Sequence, residues 1–344
     1  MSLIFDALRP MLHRLDAEQA HGLTIKALQF MPQKQPVYPV RLHTTVLGLN
    51  FQNPIGLAAG FDKNAEVAHK MVGLGFGFAE IGTLTPRPQS GNPQPRIFRL
   101  PGDQAVINRL GFNNDGVAAA VERLSRVHKP KLIIGANVGA NKDSDDRAQD
   151  YETCIKAVLG HCDYITINIS SPNTQGLRAL QEAHALDALV ERCIAARGQA
   201  TTPLLVKIAP DLSEADMEAI AAVALARNID GLIISNTTVA RPQTLRSGFA
   251  SETGGLSGKP LMAPSTAVLA KLYKLTHGKI PLIGVGGIAS GADAYTKIRA
   301  GASLVQIYTA LVYQGPGLVM QIIRELDQLL ARDGFATVAA AVGV

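Results

Sequence analysis

The sequence predicts an α/β chain closed into a (β/α)8 TIM barrel with an N-terminal helical extension. Three observations carry that expectation. Eight short, β-branched-rich apolar runs recur between residues 54 and 310. Segments of helical period separate them. The runs are apolar almost throughout instead of alternating, as strands covered on both faces are. Eight such units in one chain favour closure over the competing doubly wound open sheet. Hydrophobic residues fill 47% of the 344 positions, ample for one large core.

The elements follow in order. Residues 1–38 are read as the extension. Leu3, Ile4, Leu8, Leu12 and Leu15 share one helical spacing, and Leu23, Ile25, Leu28 and Phe30 form a second run. Pro10 is expected to cap or kink the first helix. A connector with Pro32, Pro36 and Pro39 leads to TTVLGLNFQNP, a small hairpin expected at the barrel floor. The barrel proper is placed at 39–335. Its strands are PIGLAAG (54–60), FAEIGTLT (78–85), KLIIGANVG (131–139), YITINISS (164–171), PLLVKIAP (203–210), GLIISNTT (231–238), PLIGVGG (281–287) and LVQIYTA (304–310). Helices are clearest over 179–197 and over 213–228, where Ser213 and Asp216 resemble a capping pair. Residues 85–130 are a long insertion after the second strand, and long ordered loops usually serve function. The tail, 336–344, is expected to be loosely ordered.

Composition narrows the function. The net charge of +5 is spread without a Lys/Arg block, which reads as ordinary surface charge while leaving anionic substrates or lipid open. Aromatics at 5% and the absence of Trp disfavour a stacking platform, so no nucleic-acid partner is expected. Cys154, Cys162 and Cys193 show no C-x-x-C spacing, which argues against a disulfide framework or zinc site and for a reducing compartment. Cys154 and Cys193 fall in helical patterns and read as packing residues. There is no secretory h-region and no apolar run of the ~18 residues that span a bilayer, so any membrane contact would be peripheral.

Chemistry is expected where a barrel keeps it, at the C-terminal ends of the strands. Asn108, Asn113, Asn137, Asn141, Asn168, Asn173 and Asn236 gather there. One Asn is an ordinary turn residue. Seven suggest a pocket for a planar ring of alternating C=O and N–H groups, a pyrimidine or the imide edge of a flavin. Lys207 lies within a core strand, where a cation needs a partner or an anionic ligand. Lys63 follows the first strand. GVGGI and YTAL end the last two strands, the customary phosphate position, and GGLSGKP adds another Gly-rich loop. INISSPNTQG offers two serines without a local base. The histidines at 13, 21, 43, 69, 128, 161, 184 and 277 all avoid strand ends, which disfavours both a Ser–His–Asp triad and a metal site.

Taken in series, GLAAGFDKNAE, IGTLTPRPQ, NRLGFNN, GANVGANKD, NISSPNTQGLR, LLVKIAPD, SNTT, GGLSGKPL, GVGGI and LVQIYTAL resemble the dihydroorotate dehydrogenases over about residues 40–330. That family is an FMN-containing (β/α)8 barrel that oxidises dihydroorotate to orotate in pyrimidine synthesis. The apolar N-terminal helices, and serine where the soluble class has cysteine, point to the membrane-associated, quinone-reducing class 2. By this resemblance Ser171 is the catalytic base. Lys63, Asn108, Arg109, Leu110, Gly111 and Phe112 would surround the substrate, with Asn168, Asn173, Asn236 and Thr237. Ala59, Gly60, Lys63, Thr83, Asn137 and Asn168 would hold FMN, one per chain, with Lys207, Ser235, Gly258, Gly287, Tyr308 and Thr309. His21 and Arg99 match the polar residues of the family's quinone channel. Ala140 stands where many relatives carry Lys in GxNxGxNK. SPNTQGLRALQ, with Gly176, reads as a lid that dries the site. The expected partners are dihydroorotate or orotate, a quinone and a membrane surface. The chain is expected to be a monomer at the cytoplasmic face of the inner membrane. Open alternatives are a soluble dihydroorotate dehydrogenase using fumarate or NAD, a flavin-free phosphate-binding lyase or isomerase, and a non-catalytic peripheral membrane protein.

Overall fold

The computed structural model describes residues 2–34, 36–127, 132–174 and 176–344, with backbone alone at 2–4 and 6–8. The side chains of Leu3, Ile4 and Leu8, together with His128, Lys131 and Gln175, lie outside the described residues. Helices α1 (Ser2–Arg14) and α2 (Ala17–Gln29) open the chain. Pro10 lies inside α1 and does not end it. Asp16 caps α2, its carboxylate accepting from Glu18 N and Gln19 N. Strands β1 (Thr44–Val46) and β2 (Leu49–Phe51) form the expected hairpin. Val46 and Phe51 pack on Phe78, Tyr164 and Leu205 and plug the N-terminal end of the barrel.

Strands β3 (Ile55–Leu57) and β4 (Phe78–Leu84) begin the barrel. Strands β5 (Ile97–Leu100) and β6 (Ala105–Asn108) and helix α3 (Val117–Ser125) fill the predicted insertion. The barrel resumes with β7 (Ile133–Val138), α4 (Arg147–Val158), β8 (Tyr164–Asn168), α5 (Ala183–Arg197), β9 (Leu204–Ile208), α6 (Glu214–Ala226) and β10 (Gly231–Ile234). Then come β11 (Gly255–Gly258), α7 (Met262–Leu275), β12 (Leu282–Val285), α8 (Gly291–Arg299), β13 (Ala302–Ile307), α9 (Thr309–Gln314) and α10 (Leu318–Arg332). The parallel order β3-β4-β7-β8-β9-β10-β12-β13 closes through β13 on β3, which excludes the open sheet. Inside, large rings fill gaps left by glycine. A β-carbon on Gly56 would stand 2.2 Å from the Phe78 ring, and one on Gly135 2.1 Å from Tyr164.

Four expectations need correction. The insertion is a small antiparallel sheet, β5-β6, completed by β11 pairing with β6. GGLSGKP is therefore mostly that third strand and only partly a loop. The helix expected over 179–197 breaks at Glu182, with a short 3-10 turn at Leu177–Gln181 before α5. The tail is packed: Val338 and Ala341 are fully buried, and Val338 N donates to Arg41 O at 2.8 Å. The capping box of Ser213 and Asp216 is present as expected. Cys154 and Cys193 are buried in α4 and α5, where burial pushes both thiols up.

Candidate active site at the strand tops

The site is built on a polar hub inside the barrel. Glu80 of β4 is fully buried. It accepts from Asn137 Nδ2 at 2.8 Å, Gln306 Nε2 at 2.9 Å, Tyr164 OH at 3.1 Å and Thr166 Oγ1 at 3.2 Å. Four donors supply what desolvation of the carboxylate removes. Lys207 enters from β9, in register with Asn168 of β8. It is buried and, among the described residues, has no carboxylate in ion-pair contact. Burial lowers its pKa, against the opposing pull of Glu80.

Above the hub the amides orient one another. Thr83 Oγ1 donates to Asn137 Oδ1 at 2.6 Å, and Asn168 Nδ2 donates to Thr83 Oγ1 at 2.9 Å. Asn236 Nδ2 donates to Asn168 Oδ1 at 3.3 Å and to Ser170 Oγ at 3.1 Å. Asn173 Nδ2 donates to Asn108 Oδ1 at 3.2 Å. Among the described residues, three buried oxygens lining this region, Asn113 Oδ1, Thr237 Oγ1 and Gln306 Oε1, meet no hydrogen-bond partner. Such orphans suit a ligand that brings its own hydrogen-bonding edge.

Ser171 lies just past β8 and is buried. Its Oγ accepts from Asn173 N at 3.2 Å. The segment after it is tied down by Arg178, which donates to Ser170 O at 3.1 Å, Thr237 O at 2.9 Å and Asp211 at 2.8 Å. Lys63 stands on the turn after β3, beside Asp62, whose carboxylate is taken by Glu66 N, Val67 N and Ala68 N. Burial pushes the Lys63 amine down to about 8, with Glu18 and Asp62 opposing.

A single cavity of about 630 Å³ runs from these groups up between α1 and α2. Its upper walls are apolar and include Leu12, Leu28 and Ala27. An edge-to-face series of rings joins the two levels: His21 to Phe61 at 5.2 Å, then Phe61 to Tyr308 at 5.6 Å. Burial and then the Lys63 charge push His21 down to about 4, so it is neutral at pH 7. Arg99 lines the same space and donates to Leu15 O at 2.9 Å. At one end of the cavity Gly286 and Gly287 adopt φ of 103° and 79°, open to glycine and strained for other residues. Among the described residues, no acceptor meets the Gly287 N–H. That turn and the first residues of α9 form a cradle suited to a phosphate.

The structure brings together nearly all the predicted site residues on this cavity. Asn137 sits behind Thr83 and does not line it. Asn141 braces loops instead, bonding Arg87 O and Gln89 Oε1. Arg109 turns outward, donating to Glu252 at 2.7 Å and lying 4.6 Å over the Phe98 ring. Glu80 and Gln306 were missed, although each is a lone polar residue in an apolar strand, in FAEIGTLT and LVQIYTA.

Known proteins agree with this geometry. The family described as dihydroorotate dehydrogenase matches residues 41–330. The chain is 55% identical over 342 residues to the dihydroorotate dehydrogenase (quinone) of Parvibaculum lavamentivorans, covering 99% of this chain and 98% of that one. It is 54% identical over 344 residues to that of Rhodospirillum rubrum, covering 97% and 92%. Among solved structures, DHODH from Eimeria tenella in complex with ferulenol superposes with a TM-score of 0.90 at 40% identity, over 95% of this chain and 94% of that one. The ligand-free Eimeria tenella enzyme gives 0.90 at 41%, over 95% and 99%.

Proposed function

The chain belongs to the dihydroorotate dehydrogenase family, and from that membership we infer the reaction its cavity carries out. It oxidises dihydroorotate to orotate in pyrimidine biosynthesis, with a flavin as hydride acceptor and a quinone as final electron acceptor. One observation carries the reading: a single cavity joins a floor of buried Lys and Asn side chains to an apolar vault between two helices. A polar substrate and an apolar oxidant need those two environments.

The residues fit a flavin mononucleotide, one per chain. Among the described residues Lys207 is a buried cation without an ion-pair contact, the Gln306 and Thr237 side-chain oxygens have no hydrogen-bond partner, and the Gly286–Gly287 turn offers backbone N–H groups to a phosphate. A bound flavin would supply the hydride-accepting and electron-transferring chemistry between substrate and quinone. Lys207, a buried cation, would stabilise negative charge on the reduced ring. Thr83 and Asn168 hold their neighbours in fixed orientation, so little reorganisation accompanies the reaction.

On the substrate side, Lys63 pairs with the carboxylate of dihydroorotate. Asn108, Asn173 and Asn236 read the ring amides, each with its amide already turned by a neighbour. Ser171 removes the C5 proton while the C6 hydride departs. A serine hydroxyl is a weak base, so the step needs a dry site, an aligned donor carbon and an onward path for the proton. The Asn173 N–H donates to Ser171 Oγ and so fixes the position of the hydroxyl. Arg178 pins the covering segment.

The protein acts as a monomer bound peripherally at the cytoplasmic face of the inner membrane. Met11, Leu23 and Phe30 on and just after the N-terminal helices are 66%, 51% and 88% exposed, a face suited to lipid. No helix among the described residues is long and apolar enough to cross a membrane. The three free thiols suit a reducing compartment.

Ser171→Ala tests the assignment. Stopped-flow reduction of the bound flavin by dihydroorotate should slow by about 10²–10⁴-fold, with the flavin still bound and its reoxidation by quinone unchanged. Unaltered reduction kinetics would remove Ser171 from the mechanism.

A further inference from the structure

One buried cation has no part in the mechanism above. Lys297 of α8 is fully buried, so its ammonium cannot snorkel to water. Its stem passes beneath β12, where a β-carbon on Gly284 would stand 3.2 Å from Lys297 Cδ. The ammonium donates to Ser265 Oγ at 2.6 Å. Ser265, in the first turn of α7, bonds Leu261 O at 2.6 Å and lies 3.3 Å from Gly286 O. A β-carbon on Gly286 would stand 2.9 Å from that same Ser265 Oγ. The lysine, the serine and the glycine turn are thus stacked one behind another.

A buried ammonium whose hydrogen-bond partner is a neutral hydroxyl is poorly compensated. Asp293, whose charge acts on it, lies one helical turn earlier and accepts from Ala289 N at 3.0 Å and Ser290 Oγ at 2.8 Å. Burial pushes the lysine down to about 7. An anion on the far side of Gly286–Gly287 would supply the missing countercharge through a thin, dry layer of backbone.

We propose that Lys297 and Ser265 are a positioning pair beneath the phosphate turn, supplying from behind the positive charge that makes the site prefer a phosphorylated flavin. The proposal rests on the flavin reading above. Neither residue touches the ligand. Ser265 fixes the Gly286 peptide so that the following N–H groups face the phosphate, and Lys297 holds Ser265 and adds its field.

The test compares FMN with riboflavin, which differ by the phosphate alone. The full chain, stripped of flavin, is titrated with each and binding is read by quenching of flavin fluorescence. Wild type should bind FMN more tightly. Lys297→Met keeps the stem's bulk and should weaken FMN by about tenfold or more while riboflavin changes by less than about twofold. Ser265→Ala should shift the same ratio in the same direction, and it decides the matter if the lysine variant does not fold. Parallel loss of both ligands would mean the pair is merely structural and would overturn the proposal, as would an unchanged FMN affinity. A wild type indifferent to the phosphate would overturn the FMN reading and the proposal with it.

Discussion

At the scale of residues, the chemistry depends on groups whose ordinary properties are altered by burial. Ser171, the proposed base, is buried, and its Oγ accepts from Asn173 N. Lys63 shows the same influence on a measurable scale. Its amine is held at about 8, below the usual lysine range, by desolvation. In the proposed mechanism it is the charged form that pairs with the substrate carboxylate. As pH rises through about 8 that form is lost, so KM for dihydroorotate should be flat below pH 7 and climb roughly tenfold per unit well above 8. A KM that stays flat to pH 10 would contradict the pairing. The lysines and amides were legible in the sequence because charge and Asn are out of place at the ends of apolar strands. Glu80 was just as conspicuous, but its role appears only when Asn137, Tyr164, Thr166 and Gln306 converge on it from other strands. The outward turn of Arg109 toward Glu252 was not legible, because that partner comes from a distant loop.

Among elements, the N-terminal helices are separable from the chemistry in a way the barrel strands are not. Helix α2 is anchored by the Glu18–Arg96 ion pair and by buried Ala20 and Ile25. Helix α1 packs on the segment after β13, with Arg9 donating to Tyr313 O at 3.0 Å and His13 bonded to Val312 O at 3.1 Å, away from the substrate-side groups. Removing residues 1–14 should therefore leave flavin reduction by dihydroorotate within about twofold, while reoxidation by a long-tailed quinone falls by about tenfold or more. Loss of both half-reactions would make α1 merely structural. The eight barrel strands were readable because burial on both faces leaves continuous apolar runs. The sheet in the insertion was not, since β6 is completed by β11 about 150 residues away, a pairing no local pattern encodes.

For the whole molecule, closure of the barrel and the packing of its ends decide stability and where the cavity opens. The hairpin β1-β2 plugs one end, and the cavity lies at the other, reaching up to the N-terminal helices. The tail was expected to be loose because a run of Ala, Val and Gly has no periodicity. It is instead held by groups far away in sequence, Arg41 O and Ile298 O. Val338→Ala should lower stability by about 2 kcal/mol, seen as a reduced urea midpoint with an unchanged slope; no shift would mean the tail is not packed in solution. The central claim is that one cavity passes electrons from dihydroorotate through a flavin to a quinone. An anaerobic absorbance experiment on the purified protein tests it most directly. Dihydroorotate should bleach the flavin, and a soluble quinone should restore the colour where fumarate and NAD do not. A flavin that dihydroorotate cannot bleach, or one recoloured by fumarate or NAD in place of quinone, would contradict the account.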